Sequence, residues 1–321
     1  MTIAIPTYNR AGFLSSLLES LREQIAEYED VELLISDNAS TDSTPEIIKN
    51  YIDKKMEANV FRNADNIGAD RNFISLFNAA KGKYFWLIGD DERLLPYTLE
   101  RLMPLLRSGD HDMLYINSYG YTVDGVEVKV PNISKTPIIY TDPVKYATAV
   151  GSQFTFISAN IINRDRILED GLIDFQAGIG SLMIQLYWIY PSLNVMRSAV
   201  FVRDTLIITR SYQSTGWGVC KIMGINAVDI TRKLVKSPDV VNALENKILY
   251  SSLPSNIIRM KSPGYVQDRE SPHKTLCKYW GRDCRYWFCV FPISILPLWP
   301  AKAWWFVVRC INKINNTMHG R

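Results

Sequence analysis

A doubly wound α/β fold on a mostly parallel sheet is what this sequence predicts, and three observations carry the prediction. Short apolar runs rich in branched and aromatic residues, at 3–5, 31–35, 60–61 and 84–88, alternate with stretches of helical periodicity as far as Leu106. Each run ends in a polar cluster, at 7–10, 37–42, 66–72 and 90–92. In a parallel sheet the carboxyl ends of the strands share one rim, where ligands bind. Beyond Asp112 the alternation gives way to longer strand candidates and then to helices, so the boundaries expected are 1–110, 111–215 and 216–321.

Ile3 and Ile5 define a first strand that stops at Pro6. Leu14, Leu17, Leu18, Leu21 and Ile25 then recur at the spacing of a helix with one apolar face. The strand at 31–35 is broken by the polar stretch 36–42, and Pro45 marks the first turn of a helix whose inner face is Ile47, Ile48, Tyr51 and Ile52. After a short strand at 60–61, Asn63 to Asn72 lead into a helix that buries Phe73, Leu76, Phe77 and Ala80. The run at 84–88 is continuously apolar, as in a strand covered on both faces, and Pro96 opens the next helix. Later, 113–119 and 121–130 read as strands with a hairpin signal at Asp124 and Gly125, 154–162 as a strand, 179–190 as an apolar helix and 200–209 as a strand or hairpin. Helices are expected at 219–235 and 240–260.

The chemistry is expected at the end of the fourth strand. Gly89 supplies a flexible exit, and Asp90, Asp91 and Glu92 crowd three carboxylates together, where like charges repel. Mg²⁺ or Mn²⁺ would relieve that repulsion. Such cations take one or two carboxylates together with substrate phosphates, which points to a metal-bound nucleotide. The plainer reading is an acidic cap on the helix behind Pro96; the three polar clusters upstream weigh against it.

At 321 residues and 47% hydrophobic content, the chain can bury a substantial core as one large domain or two. Cys220, Cys277, Cys284, Cys289 and Cys310 are odd in number and form no CxxC pair, so neither a disulfide framework nor a zinc site is indicated and a reducing compartment is favoured. The N-terminus lacks the basic region and apolar core of a signal peptide. Net charge is only +3, but from Arg259 onward the only acids are Asp268, Glu270 and Asp283, among many bases. The apolar run 287–301 falls short of the ~20 residues of a bilayer span and is cut by Pro292, Pro297 and Pro300. With Trp304 and Trp305 beside Lys302 and Arg309, it reads as monotopic attachment to a membrane surface, not as a nucleic-acid contact. Packing of this stretch on the protein is the alternative. The loop 210–218, with Arg210, Tyr212 and Trp217, reads either as a lid or as a plain connection.

Taken in order, Pro6-Thr7-Tyr8-Asn9-Arg10, then Ser36-Asp37-Asn38-Ala39-Ser40, then Asn66-Ile67-Gly68 with Arg71-Asn72, then Gly89-Asp90-Asp91-Glu92 resemble the motifs of family 2 glycosyltransferases with the GT-A fold. More narrowly, the chain looks like the bacterial O-antigen and capsule branch, which includes abequosyltransferase-like enzymes. The resemblance covers roughly the first third of the chain and implies a nucleotide-sugar half at 1–110 and an acceptor half at 111–215; the residues themselves give the expectation of a helical, membrane-associating region at 216–321. It implies metal-dependent, inverting transfer from a nucleoside-diphosphate sugar to a polyprenyl-diphosphate-linked oligosaccharide, at the cytoplasmic face of the bacterial inner membrane.

Carried over residue by residue, Pro6, Thr7 and Tyr8 would lie against base and ribose, and Asp37 would accept hydrogen bonds there. Arg10, Asn66 and Gly68 belong to the same donor site, and Arg71 would meet the diphosphate. Asp91 would be the main acid on Mn²⁺ or Mg²⁺, with Glu92 a second metal contact and Asp90 touching sugar or ribose. The chain departs from the family at Asn38, where a second acid is common, and at Gly89 or Asp90, either of which aligns with the first acid of the D-x-D pattern. The stretch 175–182 lacks the acidic pair that often supplies the catalytic base, which leaves Asp174 and Asp170 as the nearest candidates, with Asp174 preferred. Two other readings remain: a non-catalytic binder or scaffold that keeps the fold, and a nucleotidyltransferase, for which 8–12 is a poor Gly-rich loop.

Overall fold

In a computed structural model describing residues 1–53, 57–121, 134–169, 171, 173–210, 218–263 and 271–318, β1 (Thr2–Thr7) pairs in parallel with β2 (Glu32–Asp37) and with β4 (Tyr84–Leu87). The short strand β3 (Asn59–Arg62) adds in parallel to the outer side of β2. β1 and β2 each run two residues further than expected, through Thr7 and Asp37, which are partners in the ladder. Pro6 is tolerated inside β1 because the pairing with β4 ends at Ala4, so no donor is needed on that side. All four residues of β3 are exposed, as suits an edge strand.

Side chains alternate across this sheet and both faces are covered. Ile3, Ile5, Leu33, Ile35 and Trp86 point to one core with α1 (Ala11–Ile25), α2 (Thr44–Asp53) and α4 (Thr98–Ser108). On the other face lies α3 (Ala69–Ala79), where Phe77 meets Phe85 and stacks on Trp188, with ring centroids 5.1 and 5.4 Å apart. In α2 the buried residues are Thr44, Ile48 and Tyr51; Ile52, expected inside, is exposed. The fourth helix starts at Thr98, two residues after Pro96, because a two-residue strand, β5 (Arg93–Leu94), intervenes and pairs with Ile207 and Ile208.

The second half continues the same sheet. β6 (Met113–Tyr121), β7 (Ile138–Tyr140), β8 (Asn160–Asn163) and β9 (Ala199–Arg210) complete nine strands in the order β3-β2-β1-β4-β8-β6-β9-β5, with β7 also on β9. β8 lies antiparallel between β4 and β6, so the sheet is mixed. The helices here are α5 (Pro143–Val150), α6 (Arg164–Glu169) and α7 (Leu186–Asn194).

Two expectations fail for local reasons. In place of a strand at 154–162, 3₁₀ turns at Gly151–Thr155 and Ile157–Ala159 precede the four residues of β8. The Asn160 side chain donates to the Phe156 carbonyl at 2.7 Å and holds the turn. The helix expected over 179–190 begins only at Leu186, because Gly180 (φ 88°) and Leu182 (φ 58°) adopt left-handed backbone that no α-helix accommodates. The hairpin expected around Asp124 and Gly125, the loop 211–217 and Asp170 lie outside the described residues.

The chain divides into two compact units, 1–146 with 153–211, and 147–152 with 212–321. The second is helical: α8 (Val219–Lys221), α9 (Ala227–Leu234), α10 (Pro238–Lys247), α11 (Leu253–Met260), α12 (Pro272–Trp280), α13 (Cys284–Cys289), α14 (Phe291–Ile295) and α15 (Leu298–Met318). Tyr286, Val290, Ile293, Ala301 and Val308 of the apolar tail belong to its buried core. Trp299 and Phe306 of the same tail are 76% and 67% exposed. No helix among the described residues is long and apolar enough to cross a membrane.

Gln24, buried in α1, ties the segment leading into α4: its Nε2 donates to the Leu95 carbonyl at 3.1 Å, and its Oε1 accepts from Leu99 N at 3.0 Å. Gln24→Leu leaves the Leu99 N–H without an acceptor, and chemical denaturation should show a loss of about 1–3 kcal/mol.

Candidate active site

Four rim loops are joined in sequence by hydrogen bonds. Thr7, the last residue of β1, donates its hydroxyl to Asp90 Oδ2 at 2.8 Å, and Arg10 Nη1 reaches Asp91 Oδ2 at 2.9 Å and Asp90 Oδ1 at 3.4 Å. Asn9, held at φ 52°, accepts at Oδ1 from Thr41 N at 2.7 Å, while its own N–H donates to Ser40 Oγ at 2.9 Å. Asn38 in turn donates to Asn66 Oδ1 at 2.8 Å and accepts from Asn63 Nδ2 and Ile67 N at 2.9 and 3.1 Å. Loops that follow three different strands thus form one connected edge around the Asp90–Asp91–Glu92 turn.

Asp37 is buried, with Oδ1 accepting from Ser40 N at 2.9 Å and Oδ2 3.2 Å from Arg62 Nη1. Arg62 is a site residue that sequence reasoning missed; it ends an edge strand, and no local pattern sets it apart from a surface cation. Tyr8 presents an exposed ring on the rim. Gly68, at φ 83°, caps the N-terminus of α3, and Asn66 Oδ1 accepts from its N–H at 2.9 Å. Arg71 projects from the first turn of that helix into solvent, where partial positive charge from the helix end adds to its own.

The three carboxylates differ in environment. Burial pushes Asp90 up to about 7, against the pull of Arg10 and the Thr7 hydroxyl. Burial, with the negative charge of Asp91 and Asp90 beside it, pushes Glu92 up to about 9. Glu92 Oε1 accepts from the Ser158 hydroxyl at 3.4 Å, and its buried Oε2 has no hydrogen-bond partner among the described residues. Ser158 also went unrecognised; it is the one polar side chain in the run 156–159 of an apparent strand.

Among the described residues no three His, Cys, Asp or Glu side chains converge as a ready-made metal cage. The oxygen donors of Asp91 and the orphan Oε2 of Glu92 nevertheless suit a hard cation that draws its remaining ligands from phosphate. Asp174 is exposed and accepts from Ala177 N at 3.4 Å, beside the turn Gln176–Gly178. Asp70, buried beside Arg71, accepts from Gly180 N at 2.7 Å and so fastens α3 to the left-handed loop after that turn.

A mixed α/β sheet with linked polar loops and an acid turn on its rim is a GT-A-like arrangement. The family model "Glycosyl transferase family 2" matches residues 2–171, and the chain belongs to that family. It is 31% identical over 214 residues to the abequosyltransferase RfbV of Salmonella typhimurium, covering 62% of this chain and 60% of that protein. It is 24% identical to the poly(ribitol-phosphate) β-N-acetylglucosaminyltransferase TarS of Staphylococcus aureus, over 62% of this chain and 33% of that one. The chain therefore spans 60% and 33% of the lengths of these two relatives, less than two thirds of either. In fold it is similar to S. aureus TarS 1–349 in complex with UDP (TM-score 0.58, 16% identity, 81% of this chain and 78% of that one). It is also similar to the mannosyltransferase PcManGT of Pyrobaculum calidifontis in complex with GDP-Man and Mn²⁺ (TM-score 0.56, 12% identity, 98% and 86%).

A carboxyl whose pKa is raised by folding holds its proton in the native state at a pH where the unfolded chain has lost it, so stability falls as pH rises between the two values. For Glu92 that window runs from 4.5 to about 9. In metal-free buffer, denaturant titrations should therefore show Glu92→Gln gaining on the parent protein steadily as pH rises through this window.

Proposed function

We propose that this protein transfers a sugar from a nucleoside-diphosphate sugar to a hydroxyl of a polyprenyl-diphosphate-linked oligosaccharide in bacterial surface polysaccharide synthesis, with inversion at the anomeric carbon. The observation that supports this most is the acid turn after β4, gripped by Thr7 and Arg10 inside the segment matched by the family model. The names of the relatives, an abequosyltransferase and a poly(ribitol-phosphate) glycosyltransferase, agree in reaction class and point to surface polymers. UDP and GDP-Man in the similar structures support a nucleotide-sugar donor.

In this reading Pro6, Thr7 and Tyr8 line the base and ribose, with Asp37, Asn66 and Gly68 along the same edge. Arg71 and the N-terminus of α3 receive the diphosphate. Asp91, with Glu92 beside it, would hold Mn²⁺ or Mg²⁺, and a cation there would supply positive charge against the leaving diphosphate. Arg10 holds Asp90 and Asp91 in place, and Asp90 faces sugar or ribose. Asp174 is the proposed base. The acceptor oxygen bonds to the anomeric carbon as the bond to the diphosphate breaks, and the acceptor proton passes to the Asp174 carboxylate, a contribution of ~10²–10⁴-fold.

The helical unit is proposed to lie monotopically on the cytoplasmic face of the inner membrane, where a lipid-linked acceptor would be met. Exposed Trp287, Phe288, Trp299 and Phe306 support this, as do Lys302 over the Trp299 ring at 4.8 Å and Arg309 over Trp305 at 5.2 Å. No acid follows Asp283. Such a face suits anionic headgroups above an apolar layer.

A panel of nucleotide sugars with Mn²⁺ or Mg²⁺ should reveal one donor that is consumed. Asp91→Asn should then abolish transfer without changing the circular dichroism spectrum; normal turnover by that variant would remove the central assignment. In a sedimentation assay with phosphatidylglycerol vesicles, the parent protein should pellet and Trp299→Ser combined with Phe306→Ser should stay in solution. Equal sedimentation of the two would show that this face does not carry membrane attachment.

A further inference from the structure

Three carboxyl groups in a row do not by themselves hold a turn together, so restraints on the geometry after β4 come from outside it. Thr7 and Arg10 supply two of the restraints, both from the first loop. A third comes from the later part of the chain. Ser158, in the turn Ile157–Ala159, is wholly buried, and its hydroxyl accepts from Gly89 N at 3.1 Å while donating to Glu92 Oε1 at 3.4 Å. One side chain thus spans both ends of the turn that carries Asp91, which is itself closed by Glu92 N donating to the Gly89 carbonyl at 3.2 Å. Ser158 is fixed in turn from below: its carbonyl accepts from Trp86 Nε1 at 2.7 Å, and β8, two residues on, pairs with β4.

We infer that Ser158 is a positioning residue for glycosyl transfer, holding the 89–92 turn so that the Asp91 carboxylate faces the cation and diphosphate of the donor, with Glu92 as its anchor. The inference rests on the function proposed above. Its chemistry is specific: a hydroxyl both accepts from a backbone N–H and donates to a carboxylate, and no apolar side chain of similar size does either. A loss of ~0.5 Å or 10–20° of orientation is enough to disable such a constellation.

The experiment is calorimetric titration of Mn²⁺ into protein saturated with the nucleoside diphosphate of the preferred donor, together with titration of the nucleotide itself. Ser158→Ala should keep its circular dichroism spectrum and weaken Mn²⁺ or nucleotide binding ~10-fold or more. Ser158→Thr, which keeps the hydroxyl, should recover most of the affinity. If Ser158→Ala does not fold, Ser158→Cys, of similar volume and with a weak donor, takes its place and should show the same loss. A folded Ser158→Ala or Ser158→Cys that binds both ligands as the parent does overturns the inference and leaves the proposed function intact. A parent protein that binds no nucleotide overturns both.

Discussion

Burial of acid at the end of β4 is the constraint on which the rest of this structure depends. Asp90 and Glu92 are each about nine-tenths buried, and an ionised carboxyl in such a place is costly unless paired. Every nearby element can be understood as a response to that cost. β1 ends in Thr7 to offer a hydroxyl, the following loop turns back so that Arg10 offers a guanidinium, and the segment before β8 offers Ser158. Where these responses fall short, the protonated form is favoured instead, and most strongly at Glu92, whose second oxygen has no partner among the described residues.

The mixed topology explains why the restraint can come from two distant parts of the chain. β8 runs antiparallel beside β4, so the connection entering β8 arrives at the same edge of the sheet where β4 exits. A fourth parallel neighbour would have brought its starting end to the opposite edge. Likewise Asp70 reaches from the first turn of α3 to the Gly180 N–H, so the helix that carries Arg71 also secures a loop of the later half.

How far the architecture could be read in advance follows from where its causes lie. Leu14, Leu17, Leu18 and Leu21 are buried as their spacing requires, and the strands around Ile3, Leu34 and Phe85 follow from runs whose pattern is local. The rim clusters after β1, β2 and β4 were legible for the same reason, since polar residues directly after buried strands have few other places to go. What escaped was set by contacts remote in sequence. β5 exists because β9 offers it a ladder, Arg62 matters because Asp37 lies beside it, and Ser158 becomes polar hardware inside an apolar run only when Gly89 and Glu92 are brought to it. At Leu182 a branched residue in left-handed backbone breaks a helix that its apolar neighbours favour, and no propensity scale anticipates that.

The Asn38–Asn63–Asn66 net has a further consequence. Its members are amides, with neither a proton to gain nor a charge to screen over the range a cell experiences. The amide contacts beneath Tyr8 and Gly68 are therefore insensitive to acidity, whereas the carboxyl groups of Asp90 and Glu92 are not. Two stretches of one rim thus answer differently to the medium: the amide net keeps its geometry while the acid turn changes its charge.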